Sequence, residues 1–419
     1  GGGTLTRTKT RTSREGSGGR SAAAASYRSE GAGVFAERGM RGGGVTQLRR
    51  WIEGSPRVRA RSELGAGPEG GVVVQRLMTP GAWQALTGSK ARTRGGRNPE
   101  LLQIDHLLGT YQGLTNVNDP THDQRMQTLT NLETTAYGWY NRRFNVANPR
   151  DSKRLAAFMD LLDDVAAEHE QIVGAIVAAG GALPLPTVGG AAPLLPGTPA
   201  HAQAQADWQH LVGETANVRF SQQNATGAET YAGFKGHMLP QFARLMRTPA
   251  GRTLVHDLVN TAAGGMTPGE QAANMDKMTV RPSSVAERAA GRVAAAGVKR
   301  HEAYRTGDAA RAGGGRGIGS YLTASPVGQE MDVSRAGGGH DTHGHPLLAP
   351  MFLVLGHEMI HARHNVLGVN RNQTPLPHWS NLEEKVTITG ADHHGAVLDP
   401  VNEQALRNEY GLHQQRFGH

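Results

Sequence analysis

Apolar residues recur at helical spacing in three successive stretches of the 419-residue chain. They are Leu101, Leu102, Ile104, Leu107 and Leu108; then Met126, Leu129, Leu132 and Tyr137; then Leu155, Phe158, Leu161, Leu162 and Val165. The spacing predicts an α-helical module over 73–179, its helices lying within 98–179, with Asp151 expected as an N-cap ahead of Ser152 and Lys153. The module's His and aromatic positions read as core or surface. Gly180 to Pro199 (GGALPLPTVGGAAPLLPGTP) then carries Pro too densely to continue a helix, so 180–200 is expected to be a linker and a domain boundary.

Beyond it the periods mix. His201–Val212 and Met238–Ala262 have helical spacing, and Lys277–Arg281 (KMTVR) alternates like a short strand. Gly319–Val333 (GSYLTASPVGQEMDV) is expected to form a hairpin, followed by a His-bearing Gly loop at Gly337–His345 (GGGHDTHGH). A long apolar helix and a C-terminal acidic helix follow. Residues 201–419 are therefore expected to form one α+β domain. No repeat of solenoid period occurs.

Charge sharpens this division. Residues 1–63 hold thirteen Lys/Arg against five Glu, an excess equal to the whole net charge of +8. The basic character thus belongs to a Gly-, Arg- and Ser-rich start over 1–72 with almost no apolar period, expected to be a disordered leader. A folded nucleic-acid-binding surface would need its basic stripe elsewhere, so no specific nucleic-acid partner is expected. Cys is absent, which excludes disulfides, thiolate metal sites and cysteine nucleophiles. The first 30 residues show no signal-peptide apolar run, and no stretch reaches the length of a transmembrane span.

The chemistry concentrates after Met351–Gly356 (MFLVLG), where His357-Glu358-Met359-Ile360-His361 forms HExxH. Pro350 suits a first turn, Gly368 suits an exit, and Phe352, Leu353, Leu355, Met359 and Ile360 clothe the helix in apolar side chains. Two imidazoles four residues apart point the same way and can share one Zn²⁺. Glu358, about 100° around the helix, falls beside that ion as a general base. Strands ahead of such a helix are the arrangement of a zincin-like metalloprotease domain.

A hydrolytic zinc site needs a third protein ligand. His364 is too close on the same helix to close the tetrahedron. Glu384 is the preferred ligand, with Glu383, at capping-box spacing from Ser380, capping a helix or holding a metal-bound His. The reverse assignment stays open.

VLGHEMIHARHNVLG, LEEKVTITG and NEQALRNEYGLHQQR, in that order, resemble the NleD-like zinc metalloproteases that bacteria inject into host cells. LPQFARLMRTPAGRTLVHDL and KMTVRPS extend the resemblance over roughly 219–416. The chain is also similar to clostridial neurotoxin light chains, where the Glu of an EE-containing helix completes the zinc site. The resemblance implies one Zn²⁺, a protein substrate in a target cell, and secretion by an injection route rather than a classical one. It also implies an Arg-x-x-Tyr pair stabilising the oxyanion, met by Arg407 and Tyr410 in residue type, or by Arg416 and His419 in position. Arg407 also stands four residues after Glu403, as in a surface ion pair. VVVQRLMTPGAWQALTG resembles leaders of toxins loaded into contractile injection systems, implying loading through the N-terminus. His340, His343, His345, His393 and His394 receive no catalytic role. A non-catalytic injection cargo or interaction protein with a structural zinc site is the alternative reading.

Overall fold

The computed structural model describes residues 77–88, 98–115, 122–143, 148–186, 188, 193–221, 223, 231–264, 266–284, 294–298, 317–324, 340–341, 347–371, 375–413 and 416–417. The expected leader over 1–72 and His343, His345 and His419 lie outside them. Among the described residues no helix is long and apolar enough to cross a membrane.

Five helices come first: α1 (Pro80–Thr87), α2 (Pro99–Thr115), α3 (His122–Arg143), α4 (Pro149–Ala179) and α5 (Pro199–Gly213). The periodic residues behave as their spacing requires. Leu101, Ile104, Leu108, Met126, Leu129, Leu132, Tyr137, Leu155, Phe158, Leu161, Leu162 and Val165 are buried, and only Leu102 turns outward. Trp139 stacks on Phe158 with ring centroids 4.0 Å apart. The N-cap of α4 is Asn148, not Asp151: Asn148 accepts from Arg150 N while Pro149 sets the first turn, which moves Asp151 inside the helix.

A small, mostly parallel sheet follows, interleaved with helices. Strands β1 (Val218–Phe220), β2 (Met278–Pro282) and β4 (Ser320–Ala324) run parallel, and β3 (Ala294–Val298) lies antiparallel on the β4 edge, giving the order β1-β2-β4-β3. The expected strand at Lys277–Arg281 is β2, one residue displaced. The partners of β4 are β2 and the upstream β3, so the strand within Gly319–Val333 belongs to a sheet rather than a local hairpin; residues 325–333 lie outside the described residues. The helix expected over Met238–Ala262 is two, α6 (Tyr231–Leu245) and α7 (Pro249–Asn260), because Thr248 caps a new helix whose first residue is Pro249. After α8 (Pro268–Ala272) and the two-residue β5 (His340–Asp341) come α9 (Met351–Leu367), α10 (Leu382–Thr389) and α11 (Glu403–Glu409), and β6 (Arg416–Phe417) pairs with β5. The architecture is α+β.

One hydrophobic core runs from Leu77 to Leu412, joining the first helices to the sheet and α9. The segment expected to be a linker is part of it. Leu183 and Val188 are buried, and Gln205 clasps Leu183 through both its backbone N–H and its carbonyl. Ion pairs reinforce the union: Glu133 on α3 accepts from Arg244 and Arg247, the latter at 3.1 Å, with all three side chains buried. The described residues of α1–α4 thus share a core with the sheet and α9, and Leu183 and Val188 of the expected linker insert into it.

Candidate metal centre

Helix α9 owes its depth to its composition. Met351, Phe352, Leu353, Leu355, Met359 and Ile360 are buried, and Gly356 admits close neighbours: a Cβ there would stand 2.9 Å from Leu406 and 3.0 Å from Leu245. Gly368 ends the helix in the left-handed conformation, φ 70°. The next residue after Gly356 is His357, so the tight packing fixes where the HExxH turn begins.

His357 and His361 project from α9 toward α10. Their Nε2 atoms are 3.2 Å apart, and Glu384 brings Oε2 to 3.4 Å from His357 Nε2 and Oε1 to 3.4 Å from His361 Nε2. Ligands at 2.0–2.1 Å from a tetrahedral ion stand about 3.3–3.4 Å apart, so the two Nε2 atoms have the spacing of such a site, and Glu384 faces them with one oxygen toward each ring. Glu384 Oε2 is buried without a hydrogen-bond donor of good geometry, the condition of a carboxylate oxygen facing a cation. Among the described residues His357, His361 and Glu384 form the group able to hold a metal ion.

Glu384 gets its aim from Asn381. The expected capping box of Ser380 and Glu383 does not form; Asn381 is the N-cap and accepts from Glu384 N at 2.8 Å. This shift frees Glu383 to face α9, where its Oε1 accepts from His361 Nδ1 at 3.0 Å. Glu383 therefore holds one of the two histidines able to take a metal, the role expected of it where Glu384 is the ligand. His357 has a matching support that sequence reasoning passed over: its Nδ1 lies 2.9 Å from Glu403 Oε2, on the first turn of α11. The only signal for it was chemical, since a metal-bound imidazole needs an acceptor at its other nitrogen. Both rings are thereby fixed with Nδ1 as donor and Nε2 as the lone-pair face.

Burial disfavours charge on these rings, yet the adjoining Glu384 carboxylate prevails. It lifts His357 to about 9 and His361 well above the ordinary range, while both imidazoles hold Glu384 well below the usual carboxylate range. The carboxylate thus favours positive charge at this point. Glu358 behaves oppositely: burial raises its pKa, with Oε2 accepting from Ala296 N on β3 at 2.6 Å.

The pair proposed for the oxyanion lies elsewhere. Tyr410 is fully buried, its hydroxyl donating to the carbonyl of Arg244 and its ring 4.4 Å from Phe352. Arg407 is buried too; Nη1 donates to Leu348 O at 2.8 Å and stands 3.8 Å from Glu403 Oε1. It therefore lies on the Nδ1 side of His357, behind the lone-pair face. These are structural contacts and correct the catalytic assignment of Arg407 and Tyr410; the Arg407–Glu403 pair is real but buried. Of the other candidates, Arg416 and His340 are described only as backbone in the β5–β6 pair. His393 and His394 are exposed, their rings 3.8 Å apart. Compared with known proteins, the chain matches no family model and no curated protein.

Proposed function

We propose that the chain is a zinc-dependent endopeptidase with a zincin-like catalytic core, akin to the NleD-like effectors and delivered by an injection route to act on a protein in a target cell. The single observation that carries the reading is the convergence of His357 Nε2, His361 Nε2 and Glu384 at 3.2–3.4 Å, beside the Glu358 of HExxH. Two neutral imidazoles and one carboxylate suit Zn²⁺, and three protein ligands are the number that hydrolytic zinc sites use. When bound there, zinc lowers the pKa of water and polarises the scissile carbonyl.

The residues divide the remaining work. Glu383 and Glu403 hold the two imidazoles in the tautomer that presents Nε2. Glu358, its Oε2 engaged by Ala296, takes the proton of the attacking water on Oε1 and passes it to the leaving amine. Its raised pKa lets it hold that proton between the two transfers. The basic leader is proposed to serve loading onto the delivery apparatus.

Glu358→Gln tests the role directly. The variant is expected to keep zinc while turnover falls at least ~10²-fold, the scale of general-base removal. New peptide termini in target-cell lysate treated with wild-type and variant protein give the readout. Equal sets of termini would overturn the endopeptidase reading and favour a binding protein.

A further inference from the structure

A third histidine on α9 is drawn into the same construction from behind. His364 is 1 % exposed and one turn beyond His361, and each of its ring nitrogens meets a carboxylate oxygen: Nδ1 to Glu383 Oε1 at 2.6 Å, Nε2 to Asp399 Oδ2 at 2.7 Å. A neutral imidazole carries one N–H and can donate to only one of them. Two acceptors this close on opposite sides require a ring that donates twice, an imidazolium clamped between two anions.

The clamp is anchored at its far end. Asp399 Oδ2 also accepts from Arg363 Nη1 at 2.6 Å, and Asp399 Oδ1 accepts from Val401 N at 2.8 Å. Arg363 Nε in turn donates to Asp257 on α7 at 2.6 Å. The backbone brings Asp399 there through Gly390, whose φ of 74° no side chain would favour and whose missing Cβ would stand 2.3 Å from Asp399 O. At the near end Glu383 Oε1 accepts from both His361 and His364, while Oε2 accepts from Arg371 N at 2.7 Å. Charges alternate along the row Asp257, Arg363, Asp399, His364, Glu383. Each holds the next in place, and the last holds His361.

We infer that His364 is a positioning residue for the metal centre: as a doubly donating ring between Glu383 and Asp399, it fixes the carboxylate that orients His361. This rests on the proposed zinc site. Without His364 a buried Glu383 loses one of its donors and turns, and His361 Nδ1 loses its acceptor geometry.

A double-mutant cycle on the full chain separates this from a merely structural role. Zinc affinity is measured by chelator competition for wild type, His364→Gln, Glu383→Gln and the double variant. Each single change is expected to weaken zinc binding about 10–100-fold, the range for outer supports of metal ligands. The double variant is expected to bind like Glu383→Gln alone. Wild-type affinity in His364→Gln, or a double variant that loses the product of the two single effects, would overturn the inference. Should His364→Gln not fold, Asp399→Asn loosens the clamp from the other side. It is expected to weaken zinc in the wild-type background and not in Glu383→Gln, and equal losses in both would likewise overturn it. A wild-type chain that takes up no zinc would show instead that the metal reading itself is wrong, and the inference with it.

Discussion

Two clusters of buried charge among the described residues, one around Glu133 and one around α9, are built on opposite rules. In the helical layer Glu133 accepts from Arg244, Arg247 and Tyr137, and Arg247 Nη2 lies 2.7 Å from His169 Nδ1. There anion meets cation and donor meets acceptor. Around α9 the outer contacts follow the same rule, but at the centre three lone-pair groups converge on one another. Burial and charge mark both places alike. Only the convergence of acceptors distinguishes a site for a cation from an ion pair that ties helices together.

The largest test of that comparison is to cut the two regions apart. A fragment of residues 201–419 would keep the metal ligands but strand Arg244 and Arg247 without Glu133, and would bare the faces of Phe234, Met238 and Phe242. It is expected to show no cooperative thermal transition by circular dichroism, whereas the full chain melts in one, its described helices and sheet sharing one core. A fragment that melts cooperatively would restore 180–200 as a domain boundary.

Single substitutions come next. Glu133→Gln leaves two buried guanidinium groups without their anion and is expected to lower stability by about 3–5 kcal/mol, with or without zinc. Glu384→Gln is expected to abolish the rise in unfolding midpoint that zinc gives the wild type, since that rise follows the occupancy of the folded state. Urea unfolding with and without zinc reads both. A zinc-dependent rise surviving in Glu384→Gln would remove it from the ligand set.

How much of this was legible in the chain depends on distance along it. Helix registers were, because Leu155, Phe158 and Leu162 repeat at the period that buries them together. HExxH was, because its geometry is contained in one turn. Strand β3, Ala294–Val298, was not: Ala and Gly carry no β-branched or aromatic signature, and pairing with β4 alone makes it a strand. Pro and Gly over 180–200 rightly excluded helix, but they do not report that Leu183 and Val188 insert into a core made elsewhere. Arg407 and Tyr410 matched a motif by spacing, and spacing says nothing of which face of α11 meets Phe352. Glu403 was seen only as a neighbour of Arg407, because its partner His357 lies 46 residues away.

The smallest expected effect sharpens the comparison through its sign. His169 is buried, and burial together with the Arg247 and Arg244 charges holds its pKa well below 6.5. As pH falls below 6.5 the unfolded chain takes up a proton there and the folded chain does not, so stability declines on acidification, by at most about 1.4 kcal/mol per pH unit. His357 is the reverse. Burial opposes its charge, but Glu384 and Glu403 raise it to about 9. Between 6.5 and 9 the metal-free folded chain keeps a proton that the unfolded chain has lost, so this contribution is complete below 6.5 and disappears as pH climbs through 9. Zinc and that proton compete for the same lone pair. Saturating zinc should therefore shrink the decline above 6.5 to the share of His364, which binds no zinc and whose pKa Asp399 and Glu383 raise against burial. It should also steepen the acid limb set by His169, because zinc-bound His357 and His361 take up no proton that the unfolded chain does. Urea unfolding of the chelator-treated and zinc-loaded protein across this range measures both limbs. An alkaline limb indifferent to zinc would mean that His357 does not share its lone pair with a metal, and the contrast between the two charged clusters would collapse into one kind of structural ion pair.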